Sequence, residues 1–462
     1  MKSNVRIESD TMGEMPVPVD ALYGAQTARA VENFPISGMR FPRSFLRALC
    51  LIKKHAAITN AELGLLDQHT AKAIETAAQE AADGIHDAQF VVDVFQTGSA
   101  TSTNMNANEV IARRADQLIG RKGDSPRVHP NDHVNLGQSS NDVIPSAIHL
   151  AVLERIAVAL TPSLMDLHAA LSQKAREFND IIKIGRTHLQ DATPIRLGQE
   201  FGGYAIQIEH SLARLDSVRP RLAELALGGT AVGTGLNTHP EFAPLTVHRL
   251  ATETGLPLRS ADNPFEAQSA RDACLEASGI LRTIAVSLFK ISNDVRHLGS
   301  GPRCGLGELK LPATQPGSSI MPGKVNPVMC EMAMQVSAQI IGNDAAITFG
   351  AASGNFELNT MMPVIANNLL QSVELLANGS RVFAERCIIG IEADIDRCKA
   401  NVEQSLALST ALAPAIGYDK ASHIAKVAFD TGRTIRSVAS EISGIDDTSL
   451  NRLLDPKRQT GG

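Results

Sequence analysis

Aliphatic residues in this 462-residue chain recur at helical spacing over very long stretches. Leu150, Leu153, Ile156, Leu160, Leu164, Leu167 and Leu171 follow one another at intervals of 3, 3, 4, 4, 3 and 4. That spacing puts all of them on one helical face. At about 1.5 Å per residue the run is roughly 30 Å long. Pro162 interrupts it and predicts a kink or a fresh helix start. A second stripe runs through Ile280, Ile284, Leu288, Ile291, Val295 and Leu298. A third follows Pro327 through Met332, Val336, Ile340 and Ile347. Alternating apolar and polar runs, the mark of strands, are scarce. The expected fold is all-α, with a bundle of long helices at its centre.

The helix breakers gather in a few stretches: 12–20, 95–108, 128–141, 184–194, 227–240, 299–327 and 353–363. On a bundle, such polar segments are loops at helix ends. The length exceeds what one core supports, so several domains are expected. The net charge is −6 and no long basic run occurs, which argues against a nucleic-acid partner. With no Trp and 3 Tyr, base-stacking platforms are missing as well. The charged, polar start lacks the apolar stretch of a secretory signal, and no membrane partner is expected. Six dispersed cysteines without a CxxC motif fit a reducing cytoplasm.

Four loops carry more polar side chains than turn-making requires. GSATSTNMNANE (98–109) offers Ser99, Thr101, Ser102, Thr103, Asn104 and Asn106. HPNDHVNLGQSSND (129–142) ends in Ser139, Ser140 and Asn141. GRTHLQDATP spans 185–194, and PGSSIMPGKVNP spans 316–327 with Glu331 just beyond. Taken singly, Ser, Thr and Asn here would be helix caps. Their density exceeds capping needs, and helix N-termini favour anions. Together they predict a site for a small anionic molecule. In 316–327, glycines permit unusual backbone angles while prolines restrain their neighbours, as in a loop that closes over a substrate. His129 and His133 have a chelating i, i+4 spacing, but Pro130 lies between them and no further ligand completes a set. No metal is expected. GGTAVGTGLN (228–237) lacks both phosphate-loop patterns and no strand is expected before it, so it reads as a loop with close backbone approach.

The stretch 316–327 resembles the GSSxMPxKxNP signature of the fumarase/aspartase superfamily. The resemblance extends over nearly the whole chain. It includes RIESDTMGEMPVPVDALYGAQTARAVENFPISG, VHPNDHVN, QSSND, KIGRTHLQDATP, GGTAVGTGLNTHPEFA, SGPRCGLGE, GNDAAITFGAASGNFELN and IGYDKASHIAK. Thr187-His188 and Gly323 match the class II fumarase form rather than that of aspartase. Two departures stand out: Ala100 replaces a glycine, and Leu136-Gly137 replaces the usual residues before QSSND.

The resemblance implies three helical domains (1–140 N-terminal, 141–363 central bundle, 364–462 small C-terminal) and a homotetrameric helical core. It implies active sites shared between subunits, a small dicarboxylate substrate and no cofactor. The implied reaction is fumarate plus water to (S)-malate, through an aci-carboxylate. By resemblance Ser318 is the proton-abstracting base and His188 the general acid, with Glu331 setting its charge. Lys324 and Asn326 would stabilise the aci-carboxylate, as preplaced donors do where charge develops. Ser99, Ala100, Thr101, Asn104, Ser139, Ser140, Asn141, Thr187, Ser319 and Val325 would complete the substrate site. His129, Pro130, Asn131 and Asp132 resemble a second, peripheral dicarboxylate site. The rival readings are an aspartate ammonia-lyase, a lyase for a substituted fumarate, and a non-catalytic scaffold. The scaffold ranks last because the polar loop residues are all present.

Overall fold

The computed structural model describes residues 5–120 and 127–461, and long helices dominate it. All seven residues of the first aliphatic stripe are buried. They lie on one continuous helical stretch, Ser140–Glu177. Pro162 does not break it. Residues Ile156–Leu160 form a π turn just upstream, which shifts the hydrogen-bond register before the ring arrives. This stretch is apolar enough to cross a membrane by length and composition, yet 72% of its most apolar window is buried inside the protein.

The second stripe is buried from Ile284 to Leu298, while Ile280 sits on its flank. On helix Val328–Ala351 the buried face is Cys330, Ala333, Ser337, Ile340, Asp344 and Ile347. Met332 and Val336 are only half-buried at its edge, because buried polar groups occupy part of that face. Asp344 is one of them, accepting from Ser278 Oγ and Arg282 Nη1, each at 2.7 Å.

The chain forms two compact units. One comprises Met1–Pro162, Ala213–Ala285 and Ala338–Ala377, the other Ser163–Leu212, Val286–Ser337 and Asn378–Gly462. In the first unit, helix Arg43–Glu62 packs on Gln68–Ala82, Ser140–Arg155 and Phe242–Thr254. Helix Ala25–Asn33 has no cap of its own. Buried Glu109 supplies one from afar, accepting the amides of Gly24, Gln26 and Thr27.

In the second unit, Ile184 joins a core of C-terminal residues that includes Val402, Leu408, Ile424, Ile435 and Leu450. Ile184 belongs to an antiparallel hairpin, Ile182–Thr187 paired with Gln190–Arg196. The polar stretch 184–194 is therefore a strand pair and not a loop between helices. Another hairpin, Val5–Asp10 with Gly13–Pro18, was equally invisible to helical periodicity. A two-residue strand, Glu224–Leu225, does precede 228–237. The close approach expected there is present: a Cβ on Gly229 would lie 2.0 Å from Gln268 Oε1.

Candidate active site

In the first unit the two polar loops meet. Loop 98–101 ends at the start of helix Thr101–Ile119, where Ser99 Oγ and Thr101 Oγ1 are 2.7 Å apart. Asn104, one turn along, donates through Nδ2 to Ser140 Oγ at 3.2 Å. Ser139 caps helix Ser140–Arg155, accepting from the Asn141 amide, while Asp142 accepts from the Ser139 amide. Asn141 Nδ2 donates to Ala231 O at 2.8 Å. The expected capping role falls on Ser139 alone, since the residue before helix Thr101–Ile119 is Ala100, which offers no side-chain cap.

Beneath these loops lie two charged groups that the sequence did not single out. Lys53 is fully buried and donates to Asn135 Oδ1 at 2.8 Å and to Gln138 Oε1 at 3.0 Å. Asn135 Oδ1 also accepts from Asn104 and Asn108, each at 3.2 Å. Burial pushes the Lys53 amine down to about 7, against the opposing pull of the Asp142 charge. Burial likewise raises the Asp142 carboxyl to about 6, although amides of Ser139, Thr230 and Gly228 favour its charged form. No spacing rule could have found Lys53, because its partners are 82 and 85 residues away.

The remaining site candidates belong to the second unit. His188 and Leu189 form the two-residue tip of the hairpin, with φ of 57° and 59°. Both are exposed, as is Thr187. A two-residue hairpin turn needs left-handed backbone at both positions, which favours Asn and Gly. Here His and Leu adopt it, so the turn is strained where the imidazole is displayed.

The anchor of this hairpin is ionic. Arg186 reaches Glu308 through two bonds of 2.8 and 2.9 Å. Lys183, itself buried, lies 3.3 Å from Glu308 and 3.0 Å from Glu200. Burial alone would raise the Glu308 carboxyl, but the Arg186 bonds and the Lys183 charge hold it below its ordinary range.

Loop 316–327 is closed on itself. Ser318 Oγ accepts the amides of Met321 at 3.0 Å and Ile320 at 3.3 Å. Asn326 Nδ2 donates to Gly317 O at 2.6 Å. A Cβ at Gly317 would lie 2.2 Å from Lys324 O, so the closure needs glycine there. Ser319, Lys324 and Val325 are exposed on this loop. Glu331 is half-buried in the first turn of helix Val328–Ala351. Among the described residues, no hydrogen bond or ion pair joins the side chains of His188, Ser318, Lys324 and Glu331 to one another.

The peripheral candidates behave differently. Residues Pro130–Val134 form a π turn, so Pro130 begins a helical element after all. His133 Nδ1 accepts the His129 amide at 2.9 Å, and His129 Nδ1 lies 3.0 Å from the Asp132 amide. The Nδ1 of each imidazole is thus engaged locally. His129, Pro130 and Asn131 line a cavity of about 750 Å³ with Arg113, Arg127 and Glu109, and Asp132 is not among its lining residues.

This geometry has relatives. The lyase family matches residues 13–342, and the fumarase C C-terminus family matches residues 408–461. A class II fumarate hydratase of Halobacterium salinarum is 56% identical over 460 residues, covering 100% of this chain and 98% of that protein. This chain belongs to the class II fumarate hydratase family. A second member of the family, from Nitrosomonas europaea, is 52% identical, covering 98% of this chain and 99% of its own. The crystal structure of a class II fumarase from Schistosoma mansoni superposes with a TM-score of 0.96 at 40% identity, covering 99% of each chain.

Against the family pattern, Ala100 stands in place of a glycine. It is fully buried, with φ 53° and ψ 26° in the left-handed region. The departure therefore puts a Cβ on backbone suited to glycine. At the other departure Gly137 has φ 71°, and Leu136 O accepts from Asn60 Nδ2 at 3.0 Å.

Proposed function

We infer that this chain catalyses the reversible hydration of fumarate to (S)-malate. The observation that carries the mechanism is the Ser318 hydroxyl receiving two loop amides. A free serine is far too weak a base to take the C3 proton of malate. Donors aimed at its oxygen stabilise the alkoxide and make that role accessible.

In the elimination direction Ser318 removes the C3 proton. The electron pair moves into the adjacent carboxylate, giving an aci-carboxylate. Lys324 and Asn326 stabilise that charge, with Thr187, Ser319, Ser139, Ser140 and Asn141 as further donors. His188 then protonates the departing C2 hydroxyl, through a water, and Glu331 sets the imidazole's charge. Ser99, Thr101 and Asn104 orient the far end of the substrate. Hydration runs the same steps backwards.

The functional unit is a homotetramer with active sites shared between subunits, acting in the cytoplasm. Supporting the association of subunits, the single chain exposes Ile206, Val286 and Phe289 on its long helices. The family resemblance supports a division into an N-terminal segment 1–140, a central bundle 141–363 and a C-terminal segment 364–462, which cuts across the two compact units of the single chain. His129, Pro130, Asn131 and Asp132 form the peripheral dicarboxylate site; the first three line a cavity with Arg113 and Arg127, and the same cavity also holds the carboxylates of Glu8, Asp10, Glu14, Glu109 and Asp116.

Purified protein should turn malate into a species absorbing in the ultraviolet and leave aspartate unchanged. Fumarate from aspartate but not from malate would overturn the hydratase reading in favour of an ammonia-lyase. Ser318→Ala should lose most turnover with helical circular dichroism intact, and near-normal turnover would remove Ser318 from the base role.

A further inference from the structure

The SGPRCGLGE stretch has no part in the reaction as derived above, yet it supplies a fully buried carboxylate, Glu308. Glu308 is held from every side. Its amide donates to Leu298 O and its carbonyl accepts the Asp394 amide, both at 2.9 Å. The next residues, Leu309–Lys310, pair with Glu392–Ala393. Arg397 secures the preceding turn by donating to Leu306 O at 3.0 Å and Gly305 O at 2.8 Å. Asn401 donates to the carboxylate itself at 3.0 Å. This is a rigid base, and from it the carboxylate grips Arg186 through both terminal nitrogens. A two-point guanidinium–carboxylate pair fixes orientation as well as distance.

Arg186 is separated from His188 only by Thr187. The strand pairing shifts register between Ile184 and Arg186, so only the pairs Arg186–Asp191 and Thr187–Gln190 hold the tip beyond that irregularity. The tip itself is exposed and strained. Backbone pairing alone is therefore a poor guarantee of where the imidazole points. Lys183 and Arg186 are the cations that face Glu308 and Glu200, with the exposed Asp191 a further 3.8 Å partner of Arg186. Loss of one member would leave a buried charge without its partner.

We propose that Glu308 is a positioning residue for His188, fixing through Arg186 the hairpin that presents the imidazole. The proposal rests on the reading of His188 as the general acid. A general acid must sit within hydrogen-bond reach of the proton's destination, so a small drift of the hairpin lowers turnover more than substrate binding.

The test is a double-mutant cycle on malate turnover with Glu308→Gln and His188→Asn. Asparagine tolerates left-handed backbone, so the second change keeps the turn. Glu308→Gln should lower kcat tenfold or more while moving KM less than threefold. In the His188→Asn background it should cost less than twofold further. An equal loss in both backgrounds would mean a general structural role and overturn the proposal, leaving the His188 reading intact. Near-wild-type turnover by His188→Asn alone would overturn both. If Glu308→Gln does not fold, Arg186→Lys takes its place in the same cycle. It keeps the charge and loses the two-point grip, and the same non-additivity is expected.

Discussion

Ala100 shows how much one methyl group can mean. A non-glycine residue in left-handed backbone costs about 1–2 kcal/mol, part of which glycine returns through its greater unfolded freedom. Ala100→Gly should therefore raise stability by roughly 0.5–1 kcal/mol in urea denaturation. A loss of stability instead would mean that the buried methyl packs better than its backbone suffers. His149 makes a different statement. It is buried, with Nδ1 2.7 Å from Glu224 O. Burial, with the nearby Arg271 charge, pushes its imidazole from 6.5 down to about 4. The folded value lies below the unfolded one, so its contribution is complete above pH 6.5 and is lost as pH falls from there towards 4. Between pH 7 and 5 the wild type should lose about 2 kcal/mol more than His149→Gln. Equal losses in parallel urea titrations would refute this. The polar density around Ser139, Asn104 and Ser318 was legible in the sequence because those residues cluster within short loops. Lys53 and Glu308 were not, because each meets its partners only after the chain has folded back over 80 or more positions.

At the level of elements, the 182–196 hairpin is where helical reasoning failed and where the candidate acid is displayed. Ile184 ties it to the C-terminal helices. Its strands have 6 and 7 residues, but buried positions do not alternate along either, so no period-two pattern marks them. The tip offers a clean test. Leu189 is 79% exposed with φ 59°, so Leu189→Gly removes strain without touching the core. Its melting temperature should rise, reflecting about 1 kcal/mol of relieved backbone strain. An unchanged melt would show that the turn is not strained in solution. The long helix through Pro162 gives the opposite lesson. The aliphatic stripe continues across the proline, and one π turn lies just upstream of it.

Over the whole molecule, the apolar side chains left outside matter most. Val286 is 52% and Phe289 37% exposed in the single chain. On the tetramer reading they are covered by other subunits, so Val286→Asp should yield smaller particles in sedimentation velocity and little turnover. A full-sized, fully active Val286→Asp protein would place the interface elsewhere. By itself the sequence determined the helical class, the first long stripe and the polar loops proposed to carry the chemistry, because periodicity and loop composition are local properties. Its motifs also carried the likeness to class II fumarases. Only the tertiary structure decided that the His188 stretch is a hairpin, that Glu308 anchors it, and that Lys53 supports Asn104 and Ser140 through Asn135. Those features depend on burial and on long-range pairing of charges. Neither is encoded at any fixed spacing along the chain.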